Sequence, residues 1–416
     1  MYSANEFKEI YATKNEVNWD VTENVLHIIQ DVQKRKDEAL IEYTERFDGV
    51  TLDSIEVPFE RLKEAYVTID SDLKDALETA YHNIVTYEQT IKRTDSLGTE
   101  LYQKVHPLNS VGVYVPGGTA PLVSTVLMTA VLAKVAGVKN IVVATPPQKD
   151  GVNKAILAAC HIAQVNHVYQ VGGAQAIAAL AYGTETVPKV DKIAGPGNQY
   201  VAAAKKLVYG DVGIDSIAGP SEIVVVVDES TNPSWVAYDL LAQAEHDTEA
   251  RTFLISEHKE MLEKIKEEVN QKWSVQPRAA IIEKSLKNNH YSIVTQSKEE
   301  TVDIVNLIAG EHVSIQTEDA STYIPLITTA GALFIGHVSP EAIGDYVAGP
   351  SHVLPTGGTA RFSSGLTVND FLRTNSIIAL SDDSFKAWAP HGMRLAKEEA
   401  LQAHYDSLAS RLEDLT

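Results

Sequence analysis

The 416 residues carry a formal net charge of −21 and are 44% hydrophobic. So large an acidic excess argues against nucleic acid or an anionic membrane as partner, since both reward basic patches, but leaves room for a nucleotide held by local donors. The length exceeds what one hydrophobic core sustains, so two or three domains are expected.

Cys160 is the single cysteine. It allows no intramolecular disulfide and fits a reducing, cytoplasmic setting. Within Ala158-Ala159-Cys160-His161, on an apolar helix, it reads as a packed residue and not as a nucleophile. The N-terminal stretch mixes charges without an apolar core, so it does not read as a signal peptide. Residues 107–133 are uncharged, but Pro116, Gly117, Gly118 and Pro121 interrupt the run. The remaining helix, 122–135, is shorter than the ~20 residues that cross a bilayer, so no membrane span is expected.

In chain order, 20–49 reads as one amphipathic helix, with Val25, Ile29, Val32, Leu40, Tyr43 and Phe47 at helical spacing and Asp48-Gly49 as its stop. A second helix follows Asp70-Ser71. From Val111 the texture becomes a regular alternation of strand, glycine turn and helix. Strands are expected at 111–115, 141–144, 168–171 and 192–194, with helices to 137, over 152–163, 174–182 and 198–208. That alternation marks a parallel, doubly wound sheet. Residues 223–227 form a β-branched run, expected as a buried strand. A second alternation places helices at 232–246, 258–271 and 302–308, and strands at 252–255, 279–282, 313–315 and 332–335. The tail from 385 reads as helical. The expected organisation is an N-terminal helical part (1–110) packing with the second α/β unit, a Rossmann-like unit (111–228), a second Rossmann-like unit (229–369) and a helical tail (370–416). No internal repeat of fixed period is found.

Chemistry concentrates in a few stretches. Asn232 is a helix N-cap with Pro233 at the first position, and the helix closes on Leu241-Ala242-Gln243-Ala244-Glu245-His246-Asp247. Gln243 and His246 are three apart and share a face. The pair is either half of a divalent-metal or proton-transfer site, or a polar helix end with a hydrogen-bonded histidine. Pro116-Gly117-Gly118, Gly172-Gly173-Ala174-Gln175 and Gly195-Pro196-Gly197-Asn198 each lead from a strand to a helix N-terminus, where free N–H groups receive phosphate. None completes a G-x-G-x-x-G fingerprint, so tight βα turns are the competing reading. Ser221 lacks a nucleophile elbow and suits ligand hydrogen bonding. Glu311-His312 is either a proton-transfer pair or an acid beside a packed histidine. The segment 344–352, with Asp345 and His352, reads as a binding loop or a solvated one.

Taken together, G-V-Y-V-P-G-G (112–118), V-G-G-A-Q-A-I-A-A-L-A (171–181), I-A-G-P-G-N (193–198), A-G-P-S-E (218–222), A-Q-A-E-H-D (242–247) and I-G-D-Y-V-A-G-P-S-H-V-L-P-T (343–356) resemble the histidinol dehydrogenase family, in order over most of the chain. The resemblance implies a zinc- and NAD-dependent homodimer of histidine biosynthesis, oxidising L-histidinol to L-histidine through histidinal. It implies zinc ligands Gln243, His246, Asp345 and His404, the last from the partner subunit. Glu311 and His312 become the acid–base pair. Tyr114, Gln175 and Asn198 become NAD contacts, while Ser221, His352 and Glu399 join the metal set and His312 around the substrate. Two positions depart from the family's usual residues: Leu122-Val123 stands for Tyr-Pro, and Gly310 stands for Pro before Glu311, which predicts a looser loop. The rival expectations are another small alcohol as substrate, or a zinc hydrolase with no use for the glycine turns.

Overall fold

The computed structural model describes residues 1–11, 19–117 and 121–415. Gly118, the last residue of the first glycine turn, lies outside them. The chain forms two compact units, residues 1–91 with 108–371, and residues 92–107 with 372–416.

The larger unit holds two six-stranded sheets. The first runs in the order Glu56–Val57, His167–Tyr169, Asn140–Ala144, Ser110–Tyr114, Lys192–Ala194, Gly213–Ile214. All its pairings are parallel except that of Glu56–Val57. The second runs Tyr2–Ser3, His290–Val294, Arg251–Ser256, Glu222–Val227, His312–Gln316, Ala332–Ile335, parallel throughout. Leaving aside the first-named edge strand of each, both sheets share one winding: the chain starts in the middle, steps outward twice, then crosses back and steps out the other way. That is the doubly wound α/β architecture expected from the alternation.

Glu222–Val227 is buried along its whole length, and its strand neighbours on both sides are Arg251–Ser256 and His312–Gln316. It pairs within the second sheet, upstream of the 228/229 division expected from sequence order. Each of its five apolar side chains contributes roughly 1.5–3 kcal/mol of burial. Sheet membership follows this pairing and not position along the chain.

Three local expectations change. The helix read over 20–49 is two helices, Trp19–Arg35 and Asp37–Asp48, because Lys36 takes a left-handed φ of 53°. Residues 279–282 are not a strand but the start of the helix Ala279–Asn289, and the strand is His290–Val294 instead. An apolar Ala-Ala-Ile-Ile run fits both periods. Residues 2–11 join the second sheet, whereas the helices of 19–91 pack on those of the first: Trp19–Arg35 lies on Gly173–Tyr182 and Gln199–Val208, and Phe59–Thr68 on Lys154–Ile162.

The smaller unit pairs Leu101–Pro107 antiparallel with Leu372–Ile378 and adds the helices Asp382–Glu398 and Gln402–Leu415, which pack on each other. Glu100 fixes the start of the first helix, accepting from Ser381 N–H at 2.6 Å and the Ser384 hydroxyl at 2.7 Å. No helix among the described residues is long and apolar enough to cross a membrane.

Glu88, inside Ser71–Ile91, is fully buried; Oε2 accepts from Val368 N–H at 2.7 Å and Oε1 has no partner. Burial pushes its carboxyl up to about 7, against the Val368 hydrogen bond. The stabilising proton is fully bound below the unfolded value of 4.5, and that stability is lost as pH rises through about 7. Glu88→Gln keeps an acceptor for Val368 without the charge. Melting curves should coincide near pH 4, below the unfolded value, and show the variant more stable near pH 8, on the order of 1–3 kcal/mol. Equal stabilities at both pH values would show that Glu88 is ionised in the fold without cost.

Candidate active site

His312 opens its strand, and the central strand's first residue, Glu222, lies beside it. The Glu222 N–H donates to Glu311 Oε2 at 2.9 Å, and the Glu222 carbonyl accepts from His312 Nδ1 at 3.0 Å. With Nδ1 donating, neutral His312 presents Nε2 as its acceptor. That atom is buried without a hydrogen-bond partner, 3.7 Å from Asp345 Oδ1 and 3.9 Å from Glu341 Oε1. Glu311 Oε2 is 3.6 Å from His312 Nδ1. Sequence neighbours thus come to the same side because the strand begins at His312, leaving Glu311 in the turn before it. The loop is tied down: Gly310 and Glu311 carbonyls accept from Gly331 and Ala332 N–H at 3.0 and 2.9 Å. The looseness expected from Gly310 is absent, since it is buried and bonded to the neighbouring strand's entrance.

Asp345 and Glu341 are four apart on the short helix Glu341–Tyr346 and project together. Gly344 lets that helix approach: a Cβ there would sit 2.6 Å from Phe334 Cε1, and Phe334 itself packs against the His312 ring at 6.0 Å. His352 steadies the helix, with Nδ1 donating to the Asp345 carbonyl at 3.0 Å and Nε2 at 3.1 Å from Thr125 Oγ1. Both its ring nitrogens are therefore engaged within the protein.

The expected N-cap holds. Asn232 accepts from Ser234 N–H, Pro233 occupies the first turn, and the helix ends at Ala244. Gln243 is fully buried in the last turn, and neither its Oε1 nor its Nε2 has a hydrogen-bond partner. His246 lies in the turn beyond, its N–H on the Gln243 carbonyl at 3.3 Å. The helix packs against Glu341–Tyr346. His246, Glu341 and Asp345 bring ligand atoms within 4.8 Å of one another. Leaving a buried amide unpartnered costs about 1–3 kcal/mol per group, so the orphaned Gln243, one turn before His246 on the same helix end, together with a cluster of one nitrogen and two carboxylates fits a divalent cation with nitrogen and oxygen ligands.

The electrostatics agree. Burial pushes Glu341 up to about 8, with Asp345 adding and His312 opposing. Asp345 stays below its ordinary value, burial being outweighed by His312. Burial disfavours the His312 charge, yet Glu311, Asp345 and Glu341 lift the ring to about 10. Burial sets Glu311 at about 7, near the value a base needs at neutral pH.

The other expected residues divide in two. Ser221 precedes Glu222, its carbonyl accepting from Arg251 N–H at 2.9 Å. Glu399 and His404 are exposed residues of the smaller unit, and the cluster above is built without them. At the carboxyl ends of the first sheet, the Tyr114 hydroxyl accepts from Gly173 N–H at 3.1 Å, and Gln175 is buried with Oε1 unpartnered. Asn198 caps the helix Gln199–Val208, accepting from Tyr200 and Val201 N–H. Gly195, at φ 120°, passes so close to Tyr114 that a Cβ would lie 2.1 Å from the Tyr114 carbonyl oxygen. Its N–H donates to Asp215 and its carbonyl accepts from Lys205, a buried ion pair that fixes the turn.

Sequence reading missed Glu222, Glu341 and the Lys205–Asp215 pair. The four-residue spacing of Glu341 and Asp345 is the only one of these signals visible in the chain. Cys160 is buried as expected, and burial pushes its thiol up.

A histidinol dehydrogenase family profile matches residues 12–412. The chain belongs to the histidinol dehydrogenase family. Histidinol dehydrogenase of Staphylococcus epidermidis is 49% identical over 99% of this chain and 100% of its own length. That of Staphylococcus saprophyticus is 50% identical over 97% and 96%. A crystal structure of histidinol dehydrogenase from Elizabethkingia anophelis superposes with a TM-score of 0.94 at 35% identity, covering 99% of this chain and 96% of that one. Membership makes the protein an oxidoreductase of histidine biosynthesis.

The Gly344 approach gives a direct check on the cluster. Gly344→Ala should force the Asp345 helix off Phe334, costing about 1–3 kcal/mol. Turnover should fall about a hundredfold, because displacing catalytic groups by an ångström has that effect. Unchanged bound metal and turnover would show that the helix position is not needed.

Proposed function

We propose that the protein catalyses the four-electron oxidation of L-histidinol to L-histidine through L-histidinal, with NAD as oxidant and zinc as cofactor. The observation that carries this reading is His312 Nε2, buried and unpartnered, beside Asp345 and Glu341 with Glu311 held one residue away. Gln243, His246 and Asp345 would hold zinc, with His404 from a partner subunit completing the set in a homodimer, and Glu341 standing beside them. A divalent cation there supplies charge that orients the substrate's imidazole and amine and offsets the carboxylates that keep His312 protonated. NAD, when bound, takes up the hydride at each oxidation.

The chain's own residues do the rest. His312 Nε2 removes the hydroxyl proton as the alcohol is oxidised, its Nδ1–H held by the Glu222 carbonyl so that the ring keeps one orientation. Glu311 takes a proton from the water that adds to the aldehyde carbon, while the His312 imidazolium returns its Nε2 proton to the aldehyde oxygen and becomes a neutral base again. The resulting hydrate then gives its own hydroxyl proton to His312 in the second oxidation. Ser221, His352 and Glu399 complete the substrate's surroundings. Tyr114 and Gln175 line the nucleotide turn. Asn198 presents a capped helix N-terminus to the pyrophosphate and keeps its Nδ2 free to donate.

NADH formation from L-histidinol and NAD, with and without a chelator, tests the reading. Two NADH per histidinol, abolished by chelation and restored by zinc, is the expected result. A folded, zinc-loaded protein that forms no NADH from histidinol would sink the substrate assignment. Mixing His404→Ala with Glu311→Gln subunits tests the shared site: each variant alone should be inactive, and mixed dimers should regain one intact site. No recovery in a preparation shown to contain mixed dimers would rule out the crossing of His404.

A further inference from the structure

We propose that Asp48 is the carboxylate that receives the adenosine ribose of the dinucleotide and sets the preference for NAD over its 2′-phosphorylated form. The proposal rests on the nucleotide reading of the first sheet given above.

Asp48 is the last residue of the helix Asp37–Asp48, closed by Gly49 in the left-handed conformation. A carboxylate in the last turn faces the negative end of the helix dipole, so the position is unfavourable for the fold by itself. Its Oδ2 is buried and has no hydrogen-bond partner, and no ion pair among the described residues includes it. The nearest cation along the chain, Arg46, lies over the Phe47 ring at 5.3 Å. Burial raises the carboxyl to about 6, which leaves it mostly ionised at neutral pH. A charge held in this way returns nothing to stability and points to a ligand.

The surroundings are those of a ribose. The helix packs on Gly173–Tyr182 through Tyr43, which shares a core cluster with Tyr114, Val171 and Ala174. The Tyr114 hydroxyl feels the Asp48 charge and accepts from Gly173 N–H at 3.1 Å. Gln175, 1% exposed, folds its unpartnered Oε1 back over the same turn, where a Cβ on Gly173 would meet it at 2.7 Å. Tyr114 and Gln175 therefore meet at the carboxyl ends of the strands ending at Tyr114 and Tyr169, with the Asp48 charge within electrostatic reach of them. Doubly wound dinucleotide sites usually draw the ribose acid from the end of the second strand. That strand ends here in Ala144-Thr145-Pro146-Pro147-Gln148, without an acid, and Pro146 lies against Gly172 in the same turn. The N-terminal helix supplies the missing carboxylate. Its two oxygens accept from ribose hydroxyls, and its charge repels a phosphate on the 2′ oxygen.

The test is direct binding, followed by nucleotide fluorescence, of NADH and NADPH to the zinc-loaded protein and to Asp48→Asn and Asp48→Ser. The natural protein should favour NADH by about tenfold or more, the range of a charged hydrogen bond. Both variants should lose most of that preference, through weaker NADH and tighter NADPH binding, with melting temperatures equal to or above the natural protein's. Unaltered constants for both nucleotides, or equal weakening of both, would overturn the assignment. If the natural protein bound neither nucleotide, the nucleotide reading of the first sheet would fall, and Asp48 with it. The serine variant keeps the test decisive if the asparagine variant does not fold.

Discussion

The backbone of Glu222 holds both Glu311 and His312, the two residues proposed for acid–base work. Its N–H fixes the Glu311 carboxylate and its carbonyl fixes the His312 ring. Because backbone groups of a central strand cannot rotate away, the two side chains inherit the rigidity of the sheet. The register that places His312 opposite Ile223 in the parallel ladder thus also fixes the geometry of this pair. The Glu222 side chain, fully buried, serves the same end differently: it accepts from Arg251 at 3.2 Å and Gly357 N–H at 3.1 Å, tying the 357 loop to the strand entrance.

Two sheets of the same winding gather their polar side chains at opposite ends. The first offers its carboxyl ends, where Tyr114, Gly173 and Gly195 converge and helix N-termini point outward. The second offers its amino ends, where Glu222 and His312 begin their strands. The usual rule for doubly wound sheets describes the first arrangement and not the second. What makes the second workable is the helix Glu341–Tyr346, which reaches back past Phe334 to set Asp345 and Glu341 before His312.

Four carboxyl groups (Glu222, Glu311, Glu341 and Asp345) crowd around one imidazole. Burial raises three of them, and His312 answers by rising to about 10. Such a cluster is poorly balanced without added positive charge. The unpartnered Gln243 amide, one turn before His246, says the same in the language of hydrogen bonds. Added positive charge is what the proposed metal and substrate would bring to this cluster.

The chain's local chemistry determined much of this. Strand–glycine–helix alternation gave the doubly wound units, because turn chemistry and periodicity are local properties. Asn232 and Pro233 marked a helix start, and Glu311-His312 and Gln243–His246 announced themselves by side-chain type. Tertiary structure alone decided the rest. Lys36 breaks a helix that periodicity would continue, and 279–289 is helical because packing, not pattern, settles a short apolar run. Glu222–Val227 belongs to the sheet that offers it two partners, whatever its place in the chain. Glu341, Asp48 and the Lys205–Asp215 pair look like ordinary surface charges in sequence; only the fold buries Glu341 and the ion pair and shuts one Asp48 oxygen off from water. Local sequence sets what each segment prefers; which groups lose water together is decided by long-range packing, and the chemistry follows from that loss.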